Sequence, residues 1–176
     1  GDALRVVMAN GELLDAELVG TDTLTDIAVV RISERGSAPF VPATLGSSEE
    51  LRAGEPAIAI GSPLRLLGGP TVTVGVVSAV NRRLQSPNGE WLYDLVQTDA
   101  PISPGSSGGA LVDSSGALVG ITTVIAVTEV GAEGLGFATP VEIAHGVALD
   151  LMTWGDARHG LLGLRGEDAS LDELTP

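Results

Sequence analysis

The loop from Gln97 to Gly109 holds the residue types in this chain that are best suited to covalent chemistry. Its sequence is Gln-Thr-Asp-Ala-Pro-Ile-Ser-Pro-Gly-Ser-Ser-Gly-Gly, and it lies between two apolar runs. Glycine lets a backbone turn tightly and point its N–H groups inward. Such donors, about 3 Å from a developing negative oxygen and beside a serine hydroxyl, form an oxyanion hole. The same composition is also typical of an ordinary turn, so the loop alone leaves both interpretations open.

A Gly-x-Ser-x-Gly pattern centred on Ser107 also matches the nucleophile elbow of α/β-hydrolases. Ser107, Asp150 and His159 would follow the Ser, Asp, His order of that fold. The elbow joins a strand to a helix, whereas Ser107 is followed by the strand-like run Ala110–Val112 and a Ser-Gly turn. We therefore expect a different fold around this serine.

The two histidines are candidate bases or metal ligands. His145 falls two residues after Ile143 in a helical pattern, which predicts a solvated or boundary side chain, and His159 is expected to be exposed in a Gly-flanked linker. Neither has a second histidine at ligand spacing, the carboxylates are scattered, and the chain has no cysteine. We therefore expect no metal site, no cofactor and no disulfide.

Composition narrows the partners of this chain. Its 176 residues include 23 acidic and 9 basic residues, all of the latter Arg, for a formal charge of −14. This charge argues against a nucleic-acid partner. The longest apolar run, residues 117–127, is too short for the roughly 20 residues of a membrane-spanning helix. Aromatic residues make up 3%, and Trp91, Tyr93 and Trp154 are assigned to packing.

Short apolar runs separated by Gly, Pro, Asn and Ser clusters predict an all-β fold. The Asn-Gly pair at Asn10 between the first two runs predicts a hairpin. The predicted strands are Leu4–Met8, Leu13–Val19, Ile27–Ile32, Ala57–Ile60, Val72–Val80, Trp91–Thr98, Ala110–Val112, Ala117–Val127 and Gly136–Ala138.

One C-terminal helix is expected after the last of these strands. Thr139 is predicted to cap it, Pro140 fits its first position, and Glu142 can complete a capping box. Apolar residues follow at helical spacing, and Gly155 is a natural terminator.

The loop Gln97–Gly109 resembles the nucleophile loop of trypsin-like serine proteases of the HtrA/DegP kind. Other segments agree with that family in order and approximate spacing, and together they cover nearly the whole chain. They are the catalytic-aspartate segment Gly20–Val30, the turn Ile60–Pro63 with the strand Thr71–Val80, and the late strand Leu135–Pro140. The fold implied by this resemblance is a trypsin-like double antiparallel β-barrel with an incomplete N-terminal barrel.

The resemblance implies roles for particular residues. Ser107 would be the nucleophile, and Asp26 would orient the catalytic imidazole, although a turn carboxylate is the simpler interpretation of Asp26 taken alone. Pro101 stands where trypsin has a pocket aspartate, so small aliphatic residues are expected before the cut instead of Lys or Arg. The oxyanion hole is expected at Gly105, Ser106 and Ser107, with N–H donors from the first and last. The expected substrate-binding residues are Ile102, Leu135, Gly136 and Phe137.

Two departures from the family pattern matter. The family's catalytic histidine lies in a strand just upstream of where this sequence begins, so the 176 residues alone are predicted to hydrolyse almost nothing. Ser106 replaces an Asn that commonly precedes the nucleophile. Relatives activated by propeptide cleavage carry Asp there, and Ser106 cannot form the corresponding ion pair with a new N-terminal amine.

Two domains are predicted: a partial protease domain over residues 1–155, and a linker with the first strand of a PDZ domain over residues 156–176. By resemblance, the parent protein would be an ATP-independent endopeptidase that acts on unfolded or misfolded proteins. It would be exported to the periplasm or cell envelope, form homo-trimers and be membrane-tethered in a bacterium. The alternative is a pseudoprotease, a scaffold for peptide or protein binding whose parent lacks the histidine.

Overall fold

Nine strands and one helix form the part of the chain that the computed structural model describes, which is residues 4–62, 69–86, 89, 91–103, 105–125 and 135–160. The predicted PDZ strand after Gly160 lies outside these residues. The elements are β1 (Leu4–Val7), β2 (Leu13–Asp22), β3 (Ile27–Ile32), β4 (Pro56–Gly61), β5 (Thr71–Gln85), β6 (Trp91–Thr98), β7 (Ala110–Val112), β8 (Leu118–Ile125), β9 (Gly136–Pro140) and α1 (Val141–Trp154).

Strands β1, β2 and β3 form a three-stranded antiparallel sheet. The predicted hairpin between β1 and β2 is confirmed, with Leu4 opposite Ala16. Gly11 adopts φ 83°, and the Asn10 side chain accepts a hydrogen bond from the Glu12 N–H at 3.0 Å. This is the turn chemistry expected of an Asn-Gly pair, because both residues tolerate conformations that other side chains resist.

The other six strands close into a barrel in the order β4-β5-β6-β9-β8-β7. Its core is aliphatic, as the low aromatic content requires. Strand β5 continues to Gln85, past the predicted end at Val80, through three irregularities in its pairing with β6. The predicted strand Ala117–Val127 is described to Ile125, and its last two residues lie outside the described part. The fully buried barrel residues include Ala57, Val77, Val96, Leu111, Val119 and Ala138.

Helix α1 joins the two sheets. Its residues Ala144, Val147 and Leu151 pack with Ile27 of β3 in one buried cluster. The helix ends where it was predicted to end, at Gly155, which adopts φ 75° and donates its N–H to the Leu151 carbonyl at 3.0 Å. The prediction of an all-β fold with one C-terminal helix is confirmed for the described residues. No helix among them is long and apolar enough to cross a membrane.

The predicted capping box of α1 is wrong. Strand β9 continues to Pro140, which occupies the N-cap without a side-chain hydrogen bond. Thr139 instead donates to the Thr25 carbonyl. The Glu142 carboxylate accepts hydrogen bonds from Ser47 and Ser48. Burial opposes its ionisation, but these bonds, foremost that of the Ser48 hydroxyl, hold the pKa of Glu142 below its usual 4.5. The box fails because both side chains find partners distant in sequence.

The assignment of the aromatic residues to packing is also wrong. Trp91, Tyr93 and Trp154 are 45%, 58% and 58% exposed. The Arg83 guanidinium lies 5.6 Å from the Trp91 ring centroid, and that of Arg158 lies 3.9 Å from the Trp154 ring centroid. An arginine guanidinium therefore lies over each of the exposed Trp91 and Trp154 rings, which are not part of the core.

Several large apolar side chains of the N-terminal sheet are exposed, on both of its faces. Residues that are 44% to 68% exposed occur on all three of its strands. They are Leu4, Val7, Leu13, Leu18 and Val30.

Gly75 of β5 lies close to the chain that follows the neighbouring strand β6, and this contact predicts that a substitution at Gly75 lowers stability. A Cβ there would lie 2.3 Å from the Ala100 nitrogen and 2.4 Å from Asp99 Oδ1, at the start of the loop that carries Ser107. We expect Gly75→Ala to lower the free energy of unfolding by about 2–3 kcal/mol, because backbone atoms must move.

Gly146→Ala is the matched control, measured by urea unfolding in the same way. A Cβ at Gly146 in α1 meets nothing within 4 Å, so this variant is expected to be more stable by about 1 kcal/mol. Equal effects of the two substitutions would contradict the close approach at Gly75.

Candidate active site

Ser107 lies in the loop between β6 and β7, and its side chain is exposed. The loop turns back through hydrogen bonds from the Ser106 N–H to the Ser103 carbonyl at 2.9 Å and from the Gly109 N–H to the Ser106 carbonyl at 3.0 Å. A Cβ at Gly109 would lie 2.4 Å from the Ile60 carbonyl oxygen, so this position requires glycine. Strand β7 follows the loop, and a helix does not, which excludes the nucleophile elbow.

Thr122 of β8 fixes the position of this loop. The Gly108 N–H donates to the Thr122 carbonyl at 2.7 Å, and the Thr122 N–H donates to the Gly109 carbonyl at 2.9 Å. The Thr122 hydroxyl also donates to the Ser106 carbonyl at 2.6 Å. Three hydrogen bonds from one buried residue hold the loop on both sides of Ser107.

The next residue, Thr123, connects the two side chains predicted to act in catalysis. The Ser107 hydroxyl donates to the Thr123 carbonyl at 2.7 Å, and the Thr123 hydroxyl donates to Asp26 Oδ2. Thr123 is 6% exposed, whereas its two partners, Ser107 and Asp26, are exposed. The structure thus brings together a serine and a carboxylate that are far apart in sequence. Sequence reasoning missed Thr123, because a threonine in an apolar strand gives no local sign of a distant partner.

Asp26 reaches Thr123 from the turn between β2 and β3. It adopts φ 57°, the left-handed region that Asp tolerates better than most residues. Ile27, which follows it, is buried against α1, so the packing of the helix positions the carboxylate.

The backbone N–H groups at the predicted oxyanion hole differ in their partners. Within the described part of the chain, the N–H groups of Gly105 and Ser107 donate to no acceptor. The N–H of Ser106, which is not among the predicted donors, donates to the Ser103 carbonyl in an i to i+3 turn.

The predicted substrate-binding residues divide into two pairs. A Cβ at Gly136 would lie 2.6 Å from Ile102 Cδ1, so these two residues face each other beside the loop. Phe137 is 6% exposed and packs with Leu92 and Leu95, and Leu135 packs against the same cluster. The Phe137 side chain is therefore part of a buried cluster, and the partly buried Leu135 packs against it. Alternate residues of a strand point to opposite sides of a sheet, so Phe137 points away from the side where Gly136 meets Ile102.

A cavity of about 390 Å³ adjoins Asp26 and Gly108 on the side of α1. It is lined mainly by aliphatic side chains, and His145 is on its wall. Within the described residues, His145 makes no hydrogen bond to Asp26 or Ser107.

The hydrolase-type triad is not assembled. The Asp150 carboxylate accepts a hydrogen bond from the Arg158 N–H, and His159 contacts Asp22 at 3.0 Å. His159 is exposed, as expected, and it also has a partner in Asp22. The residues that the structure describes contain no group of three His, Asp or Glu side chains that could hold a metal ion.

Comparison with known proteins identifies a matching family and relatives of this chain. Residues 1–121 match the family described as trypsin-like peptidase domain. Serine protease PepD of Mycobacterium tuberculosis is 43% identical over 171 residues, covering 91% of this chain and 36% of the relative. The periplasmic pH-dependent serine endoprotease DegQ of Escherichia coli is 38% identical over 169 residues, covering 96% of this chain and 36% of the relative.

Solved structures of similar proteins include an HtrA-type protease, AlgW, with a decapeptide. It superposes with a TM-score of 0.82 at 38% identity, covering 98% of this chain and 51% of that one. The same protease with a tripeptide gives a TM-score of 0.78 at 41% identity, covering 88% and 49%. The chain thus spans about a third of the length of these curated relatives and about half of the solved chains.

The double contact of Thr123 predicts a cost for losing its hydroxyl. We expect Thr123→Val to lower the free energy of unfolding by about 1 kcal/mol, because the Asp26 carboxylate loses a hydrogen-bond donor. Thr21→Val is the matched control: Thr21 is an exposed strand residue, so its change is expected to stay within about 0.5 kcal/mol. Urea unfolding of both variants measures the difference, and two equal values would show that the Asp26 contact contributes nothing.

Proposed function

The chain belongs to the trypsin-like peptidase family and is homologous to the HtrA-type serine proteases, and from this premise we propose that it is the catalytic part of a serine endopeptidase. The predicted family resemblance and the trypsin-like fold are confirmed by the family match and by the AlgW structures. The roles of individual residues are our proposal. The observation that carries it is the convergence of Ser107 and Asp26 on Thr123.

Ser107 is the proposed nucleophile. Its exposed hydroxyl attacks the scissile carbonyl, and the oxyanion that forms is stabilised by the N–H groups of Gly105 and Ser107. Asp26 orients the base that takes the hydroxyl proton, and the Thr123 hydroxyl keeps this carboxylate in place. The Ser107 hydroxyl must leave the Thr123 carbonyl as the base engages it.

We propose that the base is a histidine in the chain N-terminal to Gly1. Neither histidine in the described residues contacts Ser107 or Asp26. The uncovered apolar side chains of β1 to β3 support further strands packed on this sheet, since such a surface is normally buried. Without a base the serine hydroxyl is a weak nucleophile. In another serine protease, removal of the catalytic base lowers turnover on the order of a millionfold.

The proposed preference before the cut is for small aliphatic residues. Ile102 faces Gly136 and takes up space that a larger substrate side chain would need. Pro101 brings no charge to this pocket, so a Lys or Arg side chain would find no counter-ion there. Both features favour residues such as Ala or Val.

The remaining proposals concern the whole protein. Residues 156–176 are the proposed linker and first strand of a PDZ domain, and residues 1–155 the protease domain. The periplasmic DegQ supports export to the periplasm or cell envelope, and the peptides in the AlgW structures support unfolded protein or peptide substrates. Homo-trimerisation and membrane tethering of the whole protein are proposals by family membership.

Reaction with a fluorophosphonate serine probe tests the proposed catalytic function. We expect the full-length protein to be labelled and its Ser107→Ala variant to be unlabelled, because an activated serine hydroxyl is the group that the probe modifies. Ser106→Ala is the matched control: it removes the neighbouring hydroxyl but keeps the backbone N–H groups, so labelling is expected to persist. The 176-residue chain alone is expected to stay unlabelled.

Other outcomes would overturn parts of this proposal. A folded full-length protein that resists the probe, with or without peptide ligand, would favour the pseudoprotease. Labelling of the 176-residue chain that depends on His145 would place the base on α1 instead of upstream.

The proposed specificity predicts the effect of enlarging the pocket. Ile102→Ala in the full-length protein is expected to raise kcat/KM for peptides with Leu before the cut by about tenfold relative to Val, because two or three methylenes of space become available. Val74→Ala, on an exposed position of β5, is the control and is expected to leave the ratio unchanged. The ratio of the two kcat/KM values is measured with matched peptide pairs. An unchanged ratio in Ile102→Ala would show that Ile102 does not line the pocket.

A further inference from the structure

The turn that carries Asp26 is organised by another carboxylate, that of Asp22 at the end of β2. One of its oxygens accepts a hydrogen bond from the Thr25 hydroxyl at 2.5 Å, and the backbone N–H of Leu24 also donates to this carboxylate. The Asp22 side chain is 8% exposed. Asp22 and Ile27 are paired across the turn, so Asp22 faces the residue that follows Asp26.

The second oxygen of Asp22 contacts a distant part of the chain. His159 Nε2 lies 3.0 Å from Asp22 Oδ1, and the His159 side chain is 37% exposed. His159 belongs to the segment that follows α1. The same segment is held on the helix by the Arg158 N–H, which donates to the Asp150 carboxylate at 3.0 Å, and by Ala157, which packs against the cluster around Ile27.

Three hydrogen-bonding groups support this turn, whose last residue is in an uncommon conformation. Asp26 adopts φ 57°, in the left-handed region that non-glycine residues seldom occupy. The supports are the Asp22 carboxylate, the Thr139 hydroxyl, which donates to the Thr25 carbonyl at 3.1 Å, and the Thr123 hydroxyl. The Asp22 carboxylate also contacts His159 of the segment that follows α1.

The ionisation of Asp22 matches this arrangement. Burial opposes the charged form, but the hydrogen bonds from Thr25 and His159, the charge of His159 and the Leu24 N–H outweigh burial and hold the pKa of Asp22 below its ordinary 3.8. A carboxyl whose folded pKa is lowered stabilises the fold above its ordinary pKa, and this contribution is lost as the pH falls through the lower value. Above pH 5, Asp22 is therefore charged and able to hold the turn.

We propose that Asp22 is a positioning residue for Asp26 and that His159 completes it, so that the segment after α1 clasps the turn that carries the catalytic carboxylate. The inference rests on the proposed function in that Asp26 is taken as the triad carboxylate.

Amide hydrogen exchange on the 176-residue chain, followed by nuclear magnetic resonance, tests the clasp. Protection factors of Thr25, Asp26 and Ile27, corrected for intrinsic exchange, are expected to fall by about tenfold in His159→Gln and Asp22→Asn, the factor for one lost hydrogen bond to a charged group. His159→Arg, which keeps a hydrogen-bond donor at this position, is expected to restore protection.

His145→Gln is the matched control, since it removes the other histidine and is expected to leave the protection of Thr25, Asp26 and Ile27 unchanged. Protection within twofold of the unmodified chain in both His159→Gln and Asp22→Asn would overturn the proposal. If Asp22→Asn fails to fold, the two His159 variants decide alone. The measurement needs no protease activity, so its failure is distinct from a failure of fluorophosphonate labelling.

Discussion

The hydrogen bonds of two consecutive threonines in β8 are the interaction on which the rest of the site depends. Thr122 holds the loop on both sides of Ser107, and Thr123 joins the Ser107 hydroxyl to the Asp26 carboxylate. Both threonines are buried, although Ser107 and Asp26 are exposed. Strand β8 thereby fixes the position of the glycine-rich loop and connects it to the carboxylate.

The two sheets meet through α1, and this determines where Asp26 can lie. The barrel supplies the serine and the three-stranded sheet supplies the carboxylate, so their relative position depends on packing that neither sheet provides alone. Leu151 shows how tight this packing is: a Cβ added at Gly20 of β2 would lie 2.9 Å from Leu151 Cδ2. The segment after the helix then returns to the same sheet at Asp22. The helix, the turn between β2 and β3 and the segment after the helix therefore together determine the position of the Asp26 carboxylate.

Much of this fold could be predicted from the sequence, because its signals are local. The Asn-Gly hairpin, the strand runs and the terminator Gly155 each depend on neighbouring residues, and the structure has them. The predicted capping box is absent because Thr139 and Glu142 form hydrogen bonds with residues far away in the chain. Trp91, Tyr93 and Trp154 lie outside the core although their residue types favour burial. The parts that the resemblance did not supply, Thr123 and the Asp22–His159 contact, are pairings of residues about 100 or more apart. No periodicity or motif encodes such pairings.

The exposed apolar side chains of the N-terminal sheet also have a consequence for how the separate chain behaves in solution. The formal charge of −14 makes copies of the chain repel one another, and this repulsion opposes contact between exposed aliphatic side chains. Salt shortens the reach of that repulsion to about 10 Å at 0.1 M and about 3 Å at 1 M, but does not weaken apolar association. The colloidal stability of the separate chain therefore depends on ionic strength, and dilute buffer is the medium in which it stays dispersed.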